Sequence, residues 1–250
     1  MSISKTVATQ REWEDLAHLD PLWAILSDNR KQFGRWDWEE FFASGQREID
    51  ILMSSSGFAP GDNGRVLDFG CGVGRLSRAL RFYFAQVYGV DISDEMIRLA
   101  REHTQSCTFL LNQKDDLRLF NDDFFDFVYS NIVLQHQSTK EIARAYIREF
   151  VRVLKPKGMI VLQMPYKLTA RDGLQPRRRL YSLLKMLGFS AGFLYSKLHL
   201  SPMRTIFLSS EDVESTISSA GGRLLHSHSD NAHHHSISYV VTKDATVPAR

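Results

Sequence analysis

The sequence predicts an α/β fold: a doubly wound, mostly parallel sheet of seven strands with helices on both faces. Three observations predict it. From residue 65 onward, short apolar runs alternate with segments of helical periodicity, the signature of a parallel sheet covered on both sides. The first run, Val66-Leu67-Asp68-Phe69, opens directly into Gly70-Cys71-Gly72-Val73-Gly74, after which Leu76, Ala79 and Leu80 recur at helical spacing. The last two apolar runs lie close together with a short polar link, as two neighbouring strands do.

Strands are expected at 65–69, 86–90, 107–111, 125–130, 158–164, 223–229 and 236–242, and helices at 74–84, 94–104, 139–154 and 210–220. The helix at 139–154 is announced by Ser138-Thr139-Lys140-Glu141, a capping box, and stopped by Pro156 and Gly158. Residues 1–60 form a helical N-terminal extension in which Glu12 to Leu19 and Trp38 to Met53 are amphipathic. The core is assigned to 61–165 and 209–243. Residues 166–208 break the alternation and read as a helical insertion after the fifth strand, and 244–250 as a tail.

Composition narrows the function classes. With 43% hydrophobic and 24% charged residues the chain has the balance of a soluble globular domain, and a net charge of +2 gives no global field toward nucleic acid or membrane. Cys71 and Cys107 are too few and too scattered for a disulfide framework or a zinc site and fit a reducing cytoplasm. Acids and Trp13 occupy residues 1–20, where a signal peptide needs a continuous apolar stretch. His233-His234-His235 reads as a hairpin turn first and a wall of a substrate site second. Neighbouring strand residues point to opposite faces, so no metal site is assigned.

The glycine loop offers backbone N–H groups and a helix N-terminus to a ligand, and the acids around it indicate which. A dinucleotide fingerprint is G-x-G-x-x-G with an acid about 20 residues on. Here the glycines fall as G-x-G-x-G and Asp68 precedes them. A carboxylate there repels a pyrophosphate and suits an ammonium or sulfonium group. Asp91 ends the second strand, where an acid accepts both hydroxyls of a ribose.

With Asp116-Leu117 and Phe125-Asp126-Phe127-Val128 following in order, residues 64–165 resemble the class I S-adenosylmethionine-dependent methyltransferases. The resemblance implies a Rossmann-like sheet with an antiparallel last strand, S-adenosyl-L-methionine as cofactor and S-adenosyl-L-homocysteine as product. It places Asp68 near the methionine end of the cofactor and lines that end with Gly70, Cys71, Gly72 and Gly74. Arg75 would pair with the cofactor carboxylate, Asp91 with the ribose, and Ile92 with one face of the adenine. Asp116 and Leu117 would clamp the adenine, with Asp115 and Asn112 as rivals for the polar role. Ser130, Asn131 and Ile132, at the end of the fourth strand, would sit at the transferred methyl group.

Methyl transfer leaves the protein to align the acceptor and exclude water. A hydroxyl acceptor gains from a base, and His136 is the best placed. The appended segments are expected to set specificity, through Trp36 and Phe41 in the aromatic N-terminal stretch, Tyr166 past the fifth strand, and His234. The acceptor is expected to be a small molecule bearing a hydroxyl, as in a sugar, glycolipid or secondary metabolite. Protein or nucleic-acid methylation and a non-catalytic interaction role are the alternatives. A nicotinamide dehydrogenase fits the glycine spacing poorly. The insertion has eight basic residues against Asp172 alone, interleaved with leucines and aromatics. Such an element sits on anionic lipid, caps a site or forms a subunit contact, and all three remain open, oligomerisation included.

Overall fold

The computed structural model describes residues 5–168, 173–230 and 236–244. Its seven strands form one sheet in the order β3-β2-β1-β4-β5-β7-β6. The strands are β1 (Arg65–Phe69), β2 (Gln86–Asp91), β3 (Thr108–Leu111), β4 (Phe125–Ser130), β5 (Leu154–Pro165), β6 (Gly222–Asp230) and β7 (Ser236–Lys243). The first five run parallel, and β7 is antiparallel to both of its neighbours, β5 and β6. The order reverses at β1, between β2 and β4. This is the switch point at which open α/β sheets form a ligand crevice.

Side-chain parity shows why both faces are covered. Along β1 and β4, Leu67, Phe69, Phe125 and Val128 join one buried cluster, while Val66, Phe127 and Tyr129 join another across the sheet. The first cluster is closed by α6 (Lys140–Val153) and α9 (Ser210–Ser219), through Ile147, Phe150, Val213 and Ile217. The second is closed by α3 (Trp38–Ser56) and α4 (Arg75–Leu80), through Ile49, Met53, Leu76 and Leu80. Helix α5 (Asp94–His103) packs Ile97 and Ala100 on Cys71 and Phe109. The helix starts follow local chemistry: Asp37, Ser93, Thr139 and Ser209 each accept a backbone N–H of the first turn.

Three boundaries differ from expectation. Helix α4 ends at Leu80 rather than 84, because residues 81–83 close as a turn on Ser77, Ala79 and Leu80 carbonyls. Strand β5 begins at Leu154, ahead of Pro156 and Gly158, with its register to β4 shifting between Phe125 and Phe127. A Cβ at Gly158 would lie 2.8 Å from the Asp126 carbonyl oxygen, so the irregular edge requires glycine there. The N-terminal extension has an added short helix, giving α1 (Lys5–Leu19) and α2 (Pro21–Ile25) before α3.

The insertion contains α7 (Pro176–Met186) and α8 (Ala191–Ser196), and it is sewn to the N-terminal extension. Glu12 pairs with Arg178 at 2.9 Å and Arg204 at 3.8 Å, and Asp15 pairs with Lys185 at 2.9 Å. Buried Asp20 accepts from Tyr195 Oη at 2.7 Å and from the Gly34 amide at 3.0 Å. Two segments far apart in sequence thus form one cap beside the switch point.

Candidate active site

A cavity of about 760 Å³ opens at the carboxyl ends of β1, β2 and β4, within the range of roughly 300–1,000 Å³ of small-molecule sites. Its floor includes Gly70, Cys71, Gly72, Asp91 and Ile92. Its roof is the cap: Thr9 and Trp13 from α1, residues 24–28, Trp36, and Met203 and Thr205 from the insertion. Asn131, Gln135 and His136 form the wall between them.

The glycine loop departs from expectation. The amides of Gly70 and Cys71 both donate to the Val90 carbonyl, that of Gly72 donates to Asp91 Oδ2 at 2.9 Å, and that of Gly74 donates to the Cys71 carbonyl. The loop therefore does not present these N–H groups to a ligand. With those donors turned inward, the loop suits an ammonium or sulfonium better than an anion. The space above the glycines is also partly used. A Cβ on Gly70, at φ 76°, would stand 2.4 Å from Val133 Cγ2, and one on Gly72 would stand 2.4 Å from Ile25 Cδ1. Gly74 is not on the cavity wall; it caps α4 at φ 84°.

Asp91 is held by the loop it supports. Its Oδ2 accepts from Gly72 and its Oδ1 from the Ser93 amide at 3.0 Å. Surrounding protein pushes its pKa up while the two amides and the nearby Ile92 amide hold it down, and its open side faces the cavity. Glu14 of α1 completes this corner by accepting from Ser93 Oγ at 2.7 Å.

Several expected contacts lie elsewhere. Asp68 is not on the wall. It is buried behind the loop, its Oδ2 accepts from Ser77 Oγ at 2.6 Å, and burial raises its pKa to about 6. Arg75 lines the cavity, but its guanidinium is spent on Glu48 Oε2 at 2.7 Å and Ser44 Oγ at 3.3 Å, so a carboxylate partner is already supplied from α3. Glu48 also accepts from Tyr129 Oη and Asn131 Nδ2, which fixes Asn131 at the wall. Leu117 is fully buried in the main core, and the Asp116 carboxylate turns to Arg118. Of the rivals for the polar role, Asn112 reaches the cavity, oriented by its Nδ2 donating to the Asp116 carbonyl at 2.9 Å. Ser130 is buried with no partner for its Oγ among the described residues, and does not reach the cavity.

On the acceptor side, Trp36 is on the wall with its Nε1 donating to the Leu26 carbonyl. Phe41 is fully buried against Trp36 and Phe42, and Tyr166 is exposed away from the cavity. His234 lies outside the described residues. His136 is central. Its Nδ1 contacts the Arg204 carbonyl oxygen, an acceptor only, so Nδ1 must carry the proton. Its Nε2 is then an unprotonated acceptor, 3.2 Å from the Gln135 amide nitrogen. Burial pushes the imidazole pKa down, so the neutral form is favoured. Trp13 packs edge-on at 5.3 Å.

Sequence reasoning missed Trp13 and Gln135 as wall residues, whereas Ile132, expected beside the transferred methyl group at the end of the fourth strand, does line the cavity. Ile132 has φ 60°, a left-handed conformation costly for a β-branched residue, on the order of 1–3 kcal/mol. Gln163 Oε1 accepts its amide at 3.2 Å and holds the turn. The sequence signal for Trp13 was present: with Thr9 it lies four residues apart, on one face of α1.

The comparisons with known proteins agree with this geometry. Residues 67–162 match the family model described as a methyltransferase domain. Over these residues the chain is similar to a methyltransferase domain, in line with the resemblance its glycine loop and strand-end acids carry. Among similar proteins, malonyl-[acyl-carrier protein] O-methyltransferase of Erwinia pyrifoliae is 36% identical over 102 residues, which cover 41% of this chain and 37% of that protein. Ubiquinone biosynthesis O-methyltransferase of Xanthomonas oryzae pv. oryzae is 33% identical over 102 residues, covering 39% and 41% respectively. The chain thus spans about two-fifths of the length of the curated relatives it matches. The structure of magnesium protoporphyrin IX methyltransferase from Synechocystis PCC 6803 with bound S-adenosylhomocysteine superposes with a TM-score of 0.62 at 20% identity, covering 96% of this chain and 100% of that one. At that identity it establishes the fold. Methyltransferase domains of this family use S-adenosylmethionine.

Asp68 gives a stability prediction that separates it from the ligand contacts. Its folded pKa lies above the ordinary 3.8, so it favours folding most when protonated, and that contribution is lost as pH rises through about 6. Asp68→Asn, which still accepts from Ser77, is expected to raise stability at pH 8 by on the order of 1–3 kcal/mol. The gain should shrink toward pH 4. Thermal melts across this range check it; an equal gain or loss at both ends would contradict the assignment.

Proposed function

We propose that this chain transfers a methyl group from S-adenosylmethionine to a hydroxyl of a small, largely apolar acceptor. The observation that carries this reading is the tautomer of His136. An imidazole protonated on Nδ1 by a backbone carbonyl presents a basic Nε2 to the cavity that also holds Asp91 and the glycine loop. The residues present suit the cofactor: Asp91 for the ribose hydroxyls, Ile92 and Asn112 beside the adenine, and the glycine loop with Asn131 for the cationic amino-acid end. When bound, S-adenosylmethionine supplies a methyl carbon on a positively charged sulfur and departs as S-adenosylhomocysteine.

The protein's own part is positioning and proton transfer. An acceptor hydroxyl displaces the Gln135 amide from His136 Nε2, and its proton passes to that nitrogen as the oxygen–carbon bond forms. This arrangement favours hydroxyls over other acceptors. A carboxylate is already anionic near neutral pH and gains nothing from a base. An ammonium has no lone pair until it loses a proton that an imidazole of lowered pKa holds too weakly to remove. Trp13, Trp36, Ile25 and Met203 give the acceptor side its apolar surface. The overhanging cap of α1 and residues 203–205 favours a small molecule over a folded protein or nucleic acid. The printed names of the relatives above, both O-methyltransferases, support oxygen as the methylated atom.

The test is methyl transfer from isotopically labelled S-adenosylmethionine to a panel of phenols, aliphatic alcohols, carboxylates and amines. Labelled ethers are the expected products. Transfer confined to carboxylates or amines would overturn the reading.

A further inference from the structure

We infer that the outer face of the insertion is a docking surface for an anionic lipid bilayer. Helix α7 is two-sided. Arg178, Tyr181 and Lys185, at spacings of three and four, form the stripe that faces α1, through Glu12 and Asp15. Leu180, Leu183 and Leu187 repeat the same spacing on the opposite side, with Arg179 and Met186 flanking them. Among the described residues that side is open: Leu180, Leu183, Met186 and Leu187 are 46%, 49%, 80% and 67% exposed. Phe189 and Phe193, stacked at 5.7 Å and both exposed, follow directly in the chain. A helix that spent its apolar residues on the core would show the reverse.

Charge selects the occupant. Between Asp172 and Glu211 the sequence has no acidic residue, against Arg177, Arg178, Arg179, Lys185, Lys197 and Arg204. The inner-face cations Arg178, Lys185 and Arg204 are neutralised by Glu12 and Asp15 of α1. Arg177 donates to the His199 carbonyl and forms no ion pair among the described residues. Arg179 and Lys197 are exposed and form no ion pair among the described residues. An apolar stripe bordered by unneutralised cations matches a leaflet of acyl chains beneath anionic headgroups. A second copy of this chain matches it less well, because the same surface of a partner copy brings further cations and, between Asp172 and Glu211, no acid to neutralise them. Among the described residues no helix is long and apolar enough to cross a membrane, so the contact is peripheral.

The experiment is vesicle flotation of the full chain, with zwitterionic phosphatidylcholine vesicles in one arm and vesicles in which about one lipid in three is phosphatidylglycerol in the other. The wild-type chain is expected to float with the anionic vesicles, with about tenfold or greater preference over the zwitterionic ones. High salt should weaken that binding. Leu183→Asp with Leu187→Asp should abolish flotation, and Arg179→Glu with Lys197→Glu should remove the preference for anionic lipid. All four side chains are exposed, so melting curves should match wild type. If the leucine variant melts early, the charge variant alone carries the test. Wild type remaining at the bottom of both gradients overturns the inference, as does undiminished flotation of the charge variant. So does a concentration-dependent dimer, seen by light scattering, that Leu183→Asp dissolves while no vesicle binding occurs. The readout is binding rather than methylation, so it stands or falls apart from the proposed reaction.

Discussion

His136→Ala is expected to lower kcat by about 100- to 10,000-fold, the usual contribution of a general base. Binding of S-adenosylhomocysteine should stay close to wild type, because His136 belongs to the wall of the cavity and not to the Asp91 floor. The pH dependence makes the prediction specific. Burial holds the imidazole below its ordinary 6.5, and the Nδ1 contact to the Arg204 carbonyl opposes this only in part. Wild-type kcat should therefore be flat at neutral and higher pH and should fall on acidification through a pKa below 6.5. The alanine variant should lose that acid limb as well as its rate. A residue that merely shaped the cavity would raise KM and leave the limb in place. His136→Gln fills much of the same volume without a titrating nitrogen and should behave like alanine in pH profile. An acid limb retained in either variant would remove His136 from proton transfer and leave the hydroxyl preference without its support.

What the sequence could reveal depended on whether a feature was local. Strand β1, the glycine turn and Asp91 are local: an apolar run, residues with positive φ and a terminal acid occur in one short stretch. The alternation that follows carries the sheet, and the capping residues Ser93, Thr139 and Ser209 mark helix starts without help from tertiary contacts. Orientation is not local. Asp116 and Leu117 stand where an adenine clamp is expected, yet Leu117 turns into the main core and Asn112 takes the wall. Arg75 is placed as expected in sequence, but its partner Glu48 comes from a helix 27 residues away. In sequence the glycine loop looks like a donor surface, because nothing local shows that Val90 and Asp91 accept its amides. Trp36 and Phe41 are five residues apart in one aromatic stretch, and only packing decides that the first lines the cavity while the second is buried behind it. The His136 tautomer was hidden because the carbonyl that fixes it belongs to Arg204, 68 residues away in an insertion with no strand–helix alternation to read.

Asp91→Ala is expected to weaken S-adenosylhomocysteine binding by about 100-fold or more. The estimate follows from hydrogen bonds to a charged acceptor, each worth roughly 1.5–3 kcal/mol, with every 1.4 kcal/mol a factor of ten. Each carboxylate oxygen spends one lone pair on the protein, Oδ2 on Gly72 and Oδ1 on Ser93, and keeps another for the ribose hydroxyls proposed to bind there. Alanine removes both ligand contacts and leaves two amides without acceptors. One belongs to the glycine loop and the other to Ser93, the N-cap of α5, so a lower melting temperature should accompany the loss of affinity. Asp91→Asn is not a mild substitute. Two N–H groups point at the side chain, and an amide offers an oxygen to only one of them while turning an NH₂ toward the other. The two variants should therefore both bind weakly, with asparagine the less destabilised. Calorimetric titration with S-adenosylhomocysteine beside a thermal melt separates the effects, since the melt reports the lost loop and cap bonds and the titration adds the lost ribose contacts. Near-wild-type affinity in a variant with a lowered melting temperature would confine Asp91 to holding the loop and move the ribose site elsewhere along the cavity floor.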